Sequence, residues 1–528
     1  MSNFIRMCIA AAAVLRYTGK NKIKTEEYEM RKTQKILALL LTCALLLPAC
    51  AQDGGETGET TAAAVDTAAP VETTTADPND RSQVKDNVPE DLKFNGETVR
   101  VVSRDAPNVN LYDTVGTDNL GDYVTDGVWN RSRLVEERLG VTMENTMFSG
   151  SLSEVQTQFK ALVLSGSDEF DYLHTTGNTT AGLNVYLRDL ADLPYVNYDE
   201  PWWWKDANDS ISLDGKTYNY IFSDMLLFCY IQTGVVYYNK TLYENAFGDP
   251  DEMYQTVMDG KWTIDKMMEL TASAYSDANG DGVPNAGDIF GSIKTKTQNE
   301  ETPHFLQGFD LHLYSRGDNG SLIIDFDEER CISAIEKMGQ YNVNTTGVMH
   351  SDLDINQSYK YFVENSSLFF PSRMARVVAD FREMEEPYGI LPYPKLDEAQ
   401  KDYISLIHSS STNLCVPKTV SDERVRLVGA WFECCSAESW RSVMPEFLEL
   451  ALKVKYSRDS MSGQVIDLVI AGVTKNILFE YGTYSNNIFN TALAENAKKA
   501  THNFASAYKK LAPAAQKSWD KAVADLQG

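Results

Sequence analysis

The chain has 528 residues, enough for two or three domains with proper cores, and its 43% hydrophobic content is that of a globular protein. Its 75 acidic side chains against 48 basic ones give a formal net charge of −27 and a pI near 4.7. That balance repels polyanions and excludes nucleic acid as a partner, while favouring solubility at a cell surface and neutral or cationic ligands.

Residues 1–49 read as a signal segment whose true start is Met30. Arg31, Lys32 and Lys35 precede an apolar stretch over 36–47 that is too short to span a membrane comfortably. Leu47-Pro48-Ala49-Cys50 then resembles a bacterial lipobox, in which the cysteine takes an acyl anchor such as palmitate and becomes the mature N-terminus. The expectation is a protein held by lipid at Cys50 on the outer face of the cytoplasmic membrane, with an ordinary secretory signal or membrane anchor as the alternative. Residues 50–87 are almost free of large apolar side chains and cannot offset the entropy of ordering, so a disordered tether is expected there. The folded body is expected over 88–528.

ETVRVVSRD (97–105) is short and β-branched and predicts a buried strand. Val124, Val128, Val135 and Leu139 recur at helical spacing before Gly140, and VTMENT follows as a strand. Ser151 and Glu154 form a capping-box pattern ahead of Val155, Phe159 and Leu162, after which EFDYLHTTGN returns as a strand. This β-α-β-α-β order predicts a parallel sheet with right-handed crossovers, an α/β fold. Open parallel sheets bind ligands beyond the carboxyl ends of their strands. Asp105, Thr176 and Asn178 are therefore candidate ligand contacts, although each is also an ordinary turn residue.

In PWWWKD, an extended chain would turn Trp202 and Trp204 one way and Trp203 the other. Aromatic faces hold neutral sugars while Asp, Asn and Arg bond their hydroxyls, so Trp202 and Trp204 are candidates for a cleft, against the alternative that they fill a core or an inter-lobe junction. TGVVYYNKTLYENA reads as a strand running into a helix, and GKWTIDKMMELTASAYS as a capped helix starting near Thr263. Directly after it, Asp277, Asn279, Asp281, the main chain of Val283, Asn285 and Asp288 fall at positions 1, 3, 5, 7, 9 and 12 of a calcium loop, with Gly282 at position 6. Asp288 replaces the usual glutamate. A permanently bound structural calcium is expected, with a plain turn as the alternative. Further on, a strand is expected over 367–370, a polar corner at Ser372 and Arg373, and a helix bearing Val377, Val378, Phe381 and Met384. The tail over 490–526 is expected to be helical and to pack on the outside. Beyond Cys50 the cysteines Cys229, Cys331, Cys415, Cys434 and Cys435 lack C-x-x-C or zinc spacing and are expected as buried free thiols.

Motifs of covalent chemistry are missing. There is no H-E-x-x-H, no G-x-S-x-G and no dinucleotide glycine pattern, and DGKT (214–217) has Ser210 where a P-loop needs its first glycine. The acid clusters FDEER and EMEEP read as solvated faces, and the histidines are scattered singly.

Taken in order, VVYYNKTLYENA, DGKWTIDKMMEL, the DANGDGVPNAGDIFG loop, GILPYPKLDEAQKDY and LALKVKYSRDSMSGQVIDLVI resemble an extracellular solute-binding protein of the carbohydrate-uptake type (family 1), the lipid-anchored receptor of an ABC importer. The resemblance runs over the chain from Val88 onward. It implies an α/β, two-lobed periplasmic-binding-protein-like fold with hinge-linked lobes and a mostly helical C-terminal end. It also implies a monomer that closes on a small neutral solute, an oligosaccharide, and delivers it to ABC permease subunits without covalent chemistry. Ser372 and Arg373, where a strand hands over to a helix, join the other candidate contacts. The calcium-type pattern is shared with dockerin modules, but those resemble two loops in tandem in a small separate module, and here one copy lies inside a long domain. Two other readings stay open: a surface glycan-active enzyme with an unrecognised carboxylate pair, and an adhesion or scaffold lipoprotein.

Overall fold

A computed structural model describes residues 81–527 except 115, 117–122, 286, 297, 299–300, 352–354, 382–383 and 449–459. The signal segment, Cys50 and most of the expected tether lie outside the described residues. Among the described residues no helix is long and apolar enough to cross a membrane.

Two sheets organise the body, built from Thr98–Arg104 (β1), Thr142–Phe148 (β2), Tyr172–Thr176 (β3), Gly234–Asn239 (β4), Phe290–Lys294 (β5), Val348–His350 (β6), Ser367–Arg373 (β7), Tyr388–Leu391 (β8) and Thr412–Cys415 (β9). In the first sheet the order is β9-β3-β1-β2, with β1 parallel to β2 and β3, as the β-α-β-α-β reading requires, and β9 antiparallel on the edge of β3. Val99, Val101 and Val102 are fully buried in β1, which is why that strand reads as a near-continuous apolar run. The helix Leu152–Leu164 starts on the predicted capping box: the Glu154 N–H donates to Ser151 Oγ at 3.4 Å and the Ser151 N–H donates to the Glu154 carboxylate at 2.7 Å. The second sheet runs β8-β4-β7-β5-β6. There β4 is antiparallel to both neighbours, and β7, β5 and β6 are mutually parallel. Each sheet with its helices forms a lobe. This is the mixed α/β, two-lobed architecture that the resemblance implied.

Three expectations are corrected. The ordered chain begins before Val88: the Arg81 guanidinium lies 4.8 Å over the Trp440 ring and donates to the Trp440 carbonyl at 3.1 Å, Asp86 pairs with Arg138, and Asn87 donates to Glu433 at 2.8 Å. Composition misses this because polar residues dock onto partners more than 300 positions away. The helix after β7 is only Ala375–Ala379, and Phe381 and Met384 are buried from irregular chain beyond it. The tail is interrupted at Ala500, which adopts a left-handed φ of 52°, and its last helix Phe504–Gln527 buries Phe504, Ala515 and Trp519 in the main core instead of lying outside it. All five body cysteines are buried and free.

One buried acid ties the first sheet to the helix Asp422–Glu438. Burial opposes ionisation of Asp171, but the guanidiniums of Arg424 and Arg100 and the Arg100 N–H outweigh it and hold the carboxyl below its ordinary range. A folded-state pKa depressed in this way stabilises the protein fully above the unfolded value, about 3.9 for Asp, and that stability is lost as pH falls through the folded value. Asp171→Asn is therefore expected to flatten the acid limb of stability against pH. Urea melts from neutral pH to about 2.5 check it; wild-type and variant curves that stay parallel would refute it.

Candidate functional site

The chain passes between the lobes beside the start of β4, over 405–411 and over 473–475. These segments pair with one another. Thr233 bridges Ile407 antiparallel, and Ser405 and Leu406 pair in parallel with Val473 and Thr474. The His408 N–H donates to the Gln232 carbonyl at 3.1 Å and the Met374 N–H to the Thr233 carbonyl at 2.9 Å, so the end of β7 is fixed to the same crossing. Gly234 is a steric requirement here, since a β-carbon would collide with the His304 ring. His304 stacks on Tyr393 at 5.3 Å and on His408 at 6.1 Å. Burial first, then neighbouring Arg373 and Lys475, push His408 down to about 3, and burial with His408 and Arg373 pushes His304 well below the ordinary histidine range. Burial and the neighbouring cations both disfavour a positive charge on either ring.

A polar centre sits on this crossing. The Arg373 guanidinium, at the end of β7 in the second lobe, donates to Gln232 Oε1 and to Ser410 Oγ at 3.4 Å. Ser410 is also bonded to His408 Nδ1 at 2.7 Å. From the first lobe, the Gly177 N–H at the end of β3 donates to the Ser411 carbonyl at 3.1 Å. Lys475 Nζ donates to Ser411 Oγ at 2.7 Å, to the His408 carbonyl at 3.3 Å and to Glu480 Oε2 at 3.2 Å. Glu480 Oε1 rests where a β-carbon on Gly177 would be, and it has no hydrogen-bond partner among the described residues. The two sheets thus deliver Thr176–Gly177 and Arg373 onto one four-residue stretch, His408 to Ser411.

The other predicted contacts are placed differently. Asp105 lies one residue past β1, exposed, and accepts a hydrogen bond from Ser149 at 3.3 Å; the register of β1 against β3 sets it level with Thr176. Thr176 Oγ1 is buried without a partner among the described residues, and the Asn178 side chain lies outside what is described. Ser372 is buried on its own lobe, accepting from Arg376 at 3.4 Å. Trp202 is fully buried and belongs to the core. Its indole N–H and that of Trp203 both donate to Glu433 Oε2, at 3.2 and 2.8 Å, and burial raises that carboxyl against the donors' opposing pull. The alternation expected of PWWWKD fails because the segment is turn rather than strand before the helix Lys205–Ile211, so Trp202 and Trp203 share a partner and Trp204 diverges.

Trp204 is half-buried. Its N–H donates to Asp224 Oδ1 at 2.7 Å, and the Tyr230 hydroxyl donates to the same oxygen at 2.6 Å, with the two rings edge to face at 4.4 Å. Burial raises the Asp224 carboxyl to about 6 in spite of both donors. Trp204 lines a cavity of about 310 Å³ with Tyr230, Lys205, Asp206, Ile470 and Val473. Val473 lies two residues before Lys475, so the cavity and the polar centre share the 473–475 segment. An aromatic wall flanked by a cation and a carboxylate suits a ring that presents both an apolar face and hydroxyls.

No family model matches the chain, and no curated protein matches it either. Among solved structures, a cyclo/maltodextrin-binding protein complexed with maltotetraose matches with a TM-score of 0.51 at 11% identity, covering 80% of this chain and 97% of that one. The fold is that of a two-lobed solute-binding protein. Looser matches, each with a TM-score of 0.48, include the Listeria monocytogenes ABC substrate-binding protein in complex with cycloalternan, at 12% identity over 81% of this chain and 99% of that one. A Thermotoga lettingae ABC transporter solute-binding protein bound with α-D-tagatose matches at 13% identity, over 80% of this chain and 100% of that one. At such identities the likeness is one of fold, and the side chains above are this chain's own.

Proposed function

We propose that this protein is a sugar-binding receptor that captures a small neutral oligosaccharide between its lobes as a monomer, performs no covalent chemistry, and hands the solute to the permease of an ABC importer. In this reading acylation at Cys50 holds it on the outer face of the cytoplasmic membrane. The observation that carries the reading is the meeting of Arg373 and Thr176–Gly177, from opposite sheets, on the His408 to Ser411 crossing beside the Trp204 cavity. A solute bonded to both ends has more contacts in the closed state than in the open one, and that difference drives hinge closure. The maltotetraose-bound neighbour supports the choice of solute class.

Calorimetry with linear and cyclic glucose oligosaccharides, followed by other glycans, tests the binding. Small-angle scattering is expected to show a smaller radius of gyration at saturation, and an unchanged profile with bound sugar overturns hinge closure. Arg373→Ala is expected to weaken binding about 10- to 150-fold, the worth of a hydrogen bond from a charged group, about 1.5–3 kcal/mol. Recovery of the oligosaccharide intact after long incubation separates the receptor from a glycan-active enzyme. Transfer of the protein from the membrane fraction to the soluble fraction in a Cys50→Ser variant tests the anchor.

A further inference from the structure

The segment between the helix Ile264–Ala274 and β5 is closed into a ring. Ser276 and Ile289 exchange two main-chain hydrogen bonds of 3.0 Å at its base, so residues 277–288 leave and return at one point. Gly280 and Gly282 take φ values of +72° and +74°, which a side chain would strain. The Asp277 carboxylate accepts from the Gly280 and Gly282 N–H groups at 2.7 and 2.8 Å, and Asp281 accepts from the Val283 N–H at 2.8 Å. Such bonds are ordinary for turns of this composition.

Asp288 is a different matter. It is 2% exposed; its Oδ2 accepts from the Asn285 N–H at 3.0 Å and the Tyr275 hydroxyl at 3.4 Å. Its Oδ1 is buried with no hydrogen-bond partner among the described residues. The bond from Asn285 turns the carboxylate toward the ring, and a shielded carboxylate oxygen without a donor is costly. Among the described residues no three His, Cys, Asp or Glu side chains already form a metal-holding group. The ring's donors are instead mixed, and several are engaged by its own N–H groups, so coordination would exchange those bonds for a cation.

We propose that this ring takes one calcium ion through the side-chain oxygens of Asp277, Asn279 and Asp281, the Val283 carbonyl and the Asp288 carboxylate, with Asn285 acting through water, and that the ion secures the second lobe. All donors are oxygens on a flexible loop, which favours calcium over the smaller and more rigidly octahedral magnesium. Asp288 stands two residues before β5, which lies between β7 and β6 in the second sheet, so the ion would fasten the entry of an interior strand. The site is independent of the sugar-binding reading.

Tyr275 supplies the probe. Terbium added to chelator-treated protein is expected to luminesce on tyrosine excitation and to be displaced by calcium at far lower concentration than by magnesium. Calcium is expected to raise the melting temperature by several degrees. Asp277→Asn, at an exposed position, and Asp288→Asn should each abolish that rise. Tyr275→Phe should lose much of the emission and keep the rise. A melting curve that calcium does not move, or a rise that survives both aspartate substitutions, overturns the proposal.

Discussion

Trp202→Ala is expected to destabilise the protein by about 3–5 kcal/mol, the usual cost of emptying a large core site. Trp204→Ala, two residues away, should leave the fold standing and weaken sugar binding. Trp202 is fully enclosed and its N–H satisfies the buried Glu433 carboxylate, so truncation opens a cavity and takes away one of that group's donors. Trp204 has an open side on the cavity and a partner, Asp224, that keeps the Tyr230 hydroxyl when the indole is gone. Losing one aromatic platform is worth about 1–3 kcal/mol of binding, or roughly 5- to 150-fold. Melting curves and calorimetry on the two variants decide it. Equal losses of stability would remove Trp204 from the site, and wild-type affinity in a folded Trp204→Ala would do the same.

The second large effect is expected at Lys475. Its ammonium and the Glu480 carboxylate form a pair whose side chains are 0% and 1% exposed. Lys475→Met leaves that carboxylate buried without its cation, a loss on the order of 3–5 kcal/mol, whereas adding Glu480→Gln should recover much of it because the uncompensated charge is gone. Urea unfolding of the single and double variants measures both. If the double variant is no more stable than the single, the cost comes from packing or from the lost Ser411 bond and not from the stranded charge.

Much of the first lobe was legible because its signals are local. Valine spacing, the Ser151–Glu154 box and β-branched runs each act within a few residues, and the parallel pairing of β1, β2 and β3 followed from them; the antiparallel edge strand β9 did not. The polar centre was legible only at its ends. Thr176 and Arg373 could be found from the rule that ligands gather at strand ends, but Gln232, His408, Ser410, Lys475 and Glu480 lie on crossing segments whose partners are far away in sequence. The run HSSST (408–412), four small hydroxyl residues after a histidine and inside apolar chain, was the available hint. The tryptophans misled for a related reason. Period-two reasoning needs a strand, and the fold makes a turn at Trp202. No short-range pattern shows that Glu433, some 230 residues on, claims two of the three indoles.

The terminal helix Phe504–Gln527 packs against Asn184–Tyr186 of the first lobe and against the strand Leu322–Ile324 that follows β5 in the second, where Gln516 exchanges two hydrogen bonds of 2.8 Å with Leu322 and Ile324. A helix that holds both segments at once ties them together. If the lobes close on a solute as proposed, opening on the side of this helix would have to peel a buried tryptophan, Trp519, from its seat, and the swing would be shorter for it. A shorter arc means less order to impose when a solute arrives. Under the proposed closure, affinity would then depend in part on the stiffness of the last two dozen residues.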